Sequence, residues 1–109
     1  TELQTALKDA NGKPVMLDVY ADWCIACKEF EMHTFSQPAV QAALKDTVLL
    51  QVDVTQNSAE QRALQQHYQI IGPPAILFFD SQAQEQKTKR IVGFMPAAAF
   101  IQQLASPAP

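Results

Sequence analysis

The chain has 109 residues, 48% hydrophobic and 17% charged, with a net charge of −3 and a pI of about 5.2. That length suits one domain with one core and is too short for two. Mild acidity without a basic cluster argues against nucleic acid and anionic membrane surfaces, and the longest apolar runs, such as residues 75–79, are far short of a membrane span.

The opening residues read as helix rather than as a cleavable leader, as expected of a mature product or an excised domain. Leu3, Ala6, Leu7 and Ala10 recur at helical spacing, and Asn11-Gly12 supplies the stop. Val15–Tyr20 reads as a buried strand, and residues from 24 to about 35 as a helix. Ser36 as cap and Pro38 in the first turn suit a further helix running to about Lys45. Residues 48–54 form the second expected strand. Asn57 and Ser58 cap a helix to about Tyr68, with Glu60 or Gln61 placed to complete a capping box. Residues 75–80 read as a third strand, 81–89 as a polar stretch and 90–92 as a short fourth strand. Pro96 opens a last helix with Ala97, Phe100, Ile101 and Leu104 on one face. The expected domain is residues 1–105, with 106–109 as a flexible tail. The order α-β-α-α-β-α-β-β-α predicts a parallel βαβ half and an antiparallel last strand pair.

The chemistry concentrates at Trp23-Cys24-Ile25-Ala26-Cys27-Lys28, which holds the only two cysteines. Thiols separated by two residues can close and reopen a disulfide without moving the fold. At a helix start the first thiol faces unpaired N–H groups and the positive end of the helix dipole, which favour its thiolate. The thiolate is the species that attacks disulfides, so strand, Cys-x-x-Cys, helix points to thiol–disulfide exchange. The rivals are a structural disulfide, an inert apolar pair and half of a zinc site. Zinc wants four ligands, and His33 and His67 stand at unrelated spacings. One such pair fits a catalytic site in the cytosol or in the periplasm.

Asp18 stands six residues before Cys24 inside an apolar strand. Burial would raise its pKa and suit it to exchange protons with a thiol, although alternation leaves its direction open. Glu31 lies one turn beyond Cys27. By spacing alone it reads as a solvated helix carboxylate, as Glu29 does. Gly72-Pro73-Pro74 precedes the third strand, where a cis or a trans proline is equally compatible with the residues. Gly93 permits either close approach of another backbone or a plain turn. No phosphate loop, nucleophile elbow or calcium loop is present.

Trp23-Cys24-x-x-Cys27-Lys28, with Asp18, Pro74 and Gly93, resembles the thioredoxin superfamily over nearly the whole chain. The resemblance implies a three-layer α/β/α sandwich with a central mixed sheet of about four strands. It also implies Cys24 exposed at a helix N-terminus and a cis peptide before Pro74. The family's usual N-terminal strand has no counterpart. Residues 20–31, Thr34-Phe35 and Val92-Gly93-Phe94-Met95 carry a narrower resemblance, to C-terminal periplasmic domains of inner-membrane thiol:disulfide interchange proteins.

That likeness implies a monomeric periplasmic reductant passing electrons from a membrane-embedded domain to an N-terminal domain of the same parent. Disulfide isomerases and cytochrome c maturation would lie downstream. Cys24, Cys27, Asp18 and Glu31 would be catalytic; Trp23, Pro73, Pro74, Gly93 and Phe94 would contact substrate. No cofactor beyond the Cys24–Cys27 disulfide, no metal, no nucleic acid and no membrane insertion by this segment are expected. Cytoplasmic thioredoxins differ in having Gly-Pro where this chain has Ile25-Ala26, and a lysine where it has Gln51. Pro73, before the expected cis proline, lacks the N–H that usually binds a substrate strand. The alternatives are a free-standing thioredoxin and a non-catalytic module with a structural disulfide.

Overall fold

The computed structural model describes residues 2–10 and 12–105; the expected stop at Asn11 and the tail 106–109 lie outside them. The elements are α1 Glu2–Asp9, β1 Val15–Tyr20, α2 Ile25–Glu29, a π-helical segment Phe30–Thr34 and α3 Pro38–Ala43. They continue with β2 Val48–Asp53, α4 Ala59–His67, β3 Ala75–Phe79, a 3-10 turn Lys87–Lys89, β4 Ile91–Val92 and α5 Ala97–Ala105. The expected order holds throughout.

The sheet runs β2-β1-β3-β4. β1 pairs parallel with β2 across the helical crossover, and antiparallel with β3, which pairs antiparallel with β4. β3 is buried at all five positions, as a central strand covered on both faces must be. Alternate side chains of β1 and β3 divide the core in two. Leu17, Val19, Ala75 and Leu77 face Leu3 of α1 and Leu64 and Tyr68 at α4. Met16, Ile76 and Phe78 face Phe30, Val40 of α3 and Phe100 of α5. The result is the expected three-layer α/β/α sandwich with a mixed four-stranded sheet.

Two local expectations need correction. The helix after Cys24 is not one α-helix: beyond Glu29 it widens into the π turn, with the Phe35 N–H bonded to the Phe30 carbonyl at 2.8 Å. In an α-helix, residues five apart diverge around the axis. The wider turn brings Phe30 and Phe35 to one side, where their rings stack with centroids 5.2 Å apart. Ser36 does not cap α3 either. Gln37 is the N-cap, extended because Pro38 follows it, while the Ser36 hydroxyl donates back to the Met32 carbonyl at 2.7 Å. Ser58, by contrast, forms the full capping box with Gln61.

Candidate redox site

Cys24 is the N-cap of α2. Its backbone is extended, and its sulfur accepts the Cys27 N–H at 3.1 Å. This is the unpaired donor that the sequence places opposite the first thiol. Cys24 and Cys27 form a disulfide, with Cα atoms 5.2 Å apart.

Cys24 departs from the expected exposure. It is only 6% accessible and belongs to the buried cluster that includes Val19, Ala21 and Ala75. Solvent instead meets its neighbours, Trp23 at 61% and Ile25 at 78%.

Asp18 sits mid-strand in β1, opposite Gln51 of β2 and Ile76 of β3, and is half-buried. Gln51 Nε2 donates to its carboxylate at 3.4 Å, so the group opposite Asp18 in the register is a neutral amide. Burial raises the Asp18 pKa to about 6; the Gln51 hydrogen bond offsets part of this, and the Glu31 charge adds to it. The two acids thus share one electrostatic neighbourhood. Glu31 itself is exposed on the π segment.

The Pro73–Pro74 peptide is cis. Pro74 is buried, and its carbonyl accepts the Gly93 N–H at 3.1 Å. Gly93 has φ +86° and nothing within 4 Å of where a Cβ would lie, so the glycine serves a left-handed turn and no neighbouring backbone crowds it. The Phe94 ring lies 5.3 Å from that of Phe30 and stays 38% exposed. The Cys24 N–H bonds the Ala21 carbonyl just past β1, and the Gly93 N–H bonds the Pro74 carbonyl just before β3, so the disulfide and the cis proline follow and precede neighbouring strands.

A hydrogen-bonded network beside the disulfide went unread in the sequence. Trp23 Nε1 donates to the Thr55 carbonyl at 3.1 Å, and the Asp22 N–H to the Thr55 hydroxyl at 2.8 Å. The Asp53 carboxylate accepts both the Thr55 N–H, at 2.9 Å, and its hydroxyl, which holds its pKa below the usual value. On the other side, Lys28 Nζ donates to the Tyr20 hydroxyl, which donates to Asp22 at 3.0 Å. The Asp53-x-Thr55 spacing after a strand signals the local turn. That the turn clamps Trp23 depends on the parallel pairing of β1 and β2.

His33 is exposed, and His67 packs edge-on against Tyr68. Among the described residues, no three His, Cys, Asp or Glu side chains cluster as metal ligands, and no helix is long and apolar enough to cross a membrane.

A disulfide seated on a helix cap, beside a cis proline at the end of a mixed sheet, defines a thioredoxin-like thiol–disulfide oxidoreductase. The chain belongs to the thioredoxin-like family, whose model matches residues 3–81. Within it the chain groups with the C-terminal domains of the thiol:disulfide interchange protein DsbD. It is 40% identical to the oxidised C-terminal domain of DsbD from Neisseria meningitidis, with a TM-score of 0.76, covering 93% of this chain and 85% of that one. A thioredoxin from Thermus thermophilus superposes with the same TM-score at 27% identity, over 94% of this chain and 79% of that one. Full-length DsbD from Klebsiella pneumoniae is 64% identical over 91% of this chain, and that from Escherichia coli K12 is 61% identical. The chain spans 17% and 18% of those two proteins.

Proposed function

We propose that this chain is the electron-relay domain of a longer inner-membrane protein. On this reading it is a monomeric periplasmic reductant, taking electrons from a membrane-embedded domain and passing them to an N-terminal periplasmic domain. The observation that carries the proposal is the Cys24–Cys27 disulfide on the α2 cap, with the Cys27 N–H already directed at the Cys24 sulfur.

In the reduced chain the Cys24 thiolate attacks one sulfur of the partner's disulfide. A Cys24–partner disulfide forms and the partner's second sulfur leaves as thiolate. Cys27, deprotonated by Asp18, then attacks Cys24, closes the Cys24–Cys27 disulfide and expels the partner's first sulfur. Two electrons pass to the partner, whose thiolates take up two protons. The reverse exchange with an upstream dithiol reloads the chain. Asp18 suits the proton step because its pKa of about 6 lets it hold or release a proton near neutrality. The partner docks across Trp23, Ile25, Pro73, Pro74, Gly93 and Phe94, using the Pro73 carbonyl because Pro73 has no N–H.

Burial of Cys24 favours one second reading, a structural disulfide. Equilibration in dithiothreitol and glutathione buffers separates the two. A relay opens reversibly under these buffers without unfolding, and a structural disulfide resists them. Reduction by a DsbD membrane-embedded domain, set against reduction by thioredoxin reductase, distinguishes the relay from a free-standing thioredoxin.

A further inference from the structure

We propose that Thr34 is a positioning residue for partner docking: its buried hydroxyl fixes the turn at residues 93–95, and with it the partly exposed Phe94. The inference rests on the reading above, in which Gly93 and Phe94 belong to the docking face.

Thr34 is wholly inaccessible, and a hydroxyl so placed needs an acceptor. A helical threonine ordinarily bonds a carbonyl three or four residues earlier in its own helix. Thr34 instead reaches out of its helix to the Met95 carbonyl, at 2.7 Å. Thr34 closes the π segment that Phe30 opens, and both are buried.

Three consecutive residues of the turn are held by three different groups. The Pro74 carbonyl holds Gly93, the Phe30 ring meets Phe94, and the Thr34 hydroxyl holds Met95. Phe30 and Thr34 belong to the helical segment that continues from Cys27. The turn follows a strand of only two residues, so local pairing alone would leave it loosely fixed. Phe94 keeps an exposed edge. Thr34 therefore ties the turn that carries that edge to the helical segment that continues from Cys27.

The test is stopped-flow exchange of the reduced chain with two disulfides. One is the oxidised N-terminal domain of a DsbD relative; the other is the small disulfide dithionitrobenzoate. Thr34→Val should raise the half-saturating concentration of the protein disulfide about three- to tenfold, the loss expected for one hydrogen bond. The limiting rate, the dithionitrobenzoate rate and the reduction potential should stay at wild-type values. Thr34→Ser should restore wild-type half-saturation. Thr34→Val added to Phe94→Ala should cost nothing beyond Phe94→Ala alone, because Thr34 acts through Phe94. If Thr34→Val does not fold, Thr34→Ala is compared with Thr34→Ser in its place. Unchanged half-saturation, an equal loss with dithionitrobenzoate, or full additivity with Phe94→Ala overturns the inference. A wild-type chain that reacts with dithionitrobenzoate but never with the protein disulfide overturns the docking reading itself, and the inference falls with it.

Discussion

At the residue scale the decisive arrangement is Asp18 with Gln51. A half-buried carboxylate opposite a neutral amide keeps its proton to about pH 6, against an ordinary value of 3.8. The sign follows from the raised folded-state pKa. Below about pH 4 Asp18 is protonated both folded and unfolded and has no effect on stability. As pH rises from there through 6, the unfolded chain ionises more readily, and stability is lost. Asp18→Asn should therefore stabilise the fold by about 2–3 kcal/mol at pH 7–8 and by almost nothing below pH 4, read from denaturant midpoints across pH. A pH-independent gain would show that burial of charge is not the cause. Gln51→Lys should place a cation beside the carboxylate and bring the Asp18 pKa down, followed through its carboxyl carbon by NMR titration. We propose that the pair of acids also bears on the thiol. If Asp18 and Glu31 oppose the helix-cap stabilisation of the Cys24 thiolate, Asp18→Asn with Glu31→Gln should lower the Cys24 thiol pKa. An unchanged thiolate titration would remove both acids from that role.

At the element scale the helix after β1 does two tasks that one regular helix would not combine. Its first turn caps the disulfide, and its π turn turns Phe30 and Thr34 inward. Phe30 meets Phe35, Phe94 and Phe100, so Phe30→Ala should cost about 3–5 kcal/mol and also loosen the 93–94 turn, measured by denaturation and by hydrogen exchange. Ser58→Ala breaks the capping box on α4, a contact within that helix's own first turn. It should cost about 1 kcal/mol with exchange rates unaltered. The elements and their order were legible in the hydrophobic spacing and the helix-start signals: residues 75–79 are a short apolar run, and Ser58 and Pro96 open the last two helices. The π turn was not, because Phe30 and Thr34 stand four apart, a spacing that an ordinary helix also satisfies. Ser36 misled for a related reason: the residue type suited a cap, but Pro38 forced the extended backbone onto Gln37.

At the scale of the whole molecule, the sheet brings together groups that are far apart in sequence. Cys24-x-x-Cys27 and the Pro73–Pro74 peptide were each visible alone, the second only as an open choice between cis and trans. Their joining through Ala75, Pro74 and Gly93 comes from strand pairing. The clamp on Trp23 by Thr55 and Asp53 was illegible for the same reason, because it spans the parallel β1–β2 pair. Burial of Cys24 was hidden too, since exposure at a cap depends on where the sulfur turns once the disulfide closes. Trp23, Ile25 and Phe94 are exposed, while both cysteines of the disulfide are buried. Such exposed side chains suit a partner that supplies apolar contact before exchange begins. The most direct test of the relay is to replace Cys27 by serine and mix the reduced variant with the oxidised N-terminal domain of a DsbD relative. A one-to-one covalent adduct through Cys24, released by dithiothreitol and absent when Cys24 is also replaced, is the expected result. No adduct, or one that forms without Cys24, would contradict thiol–disulfide relay at this site.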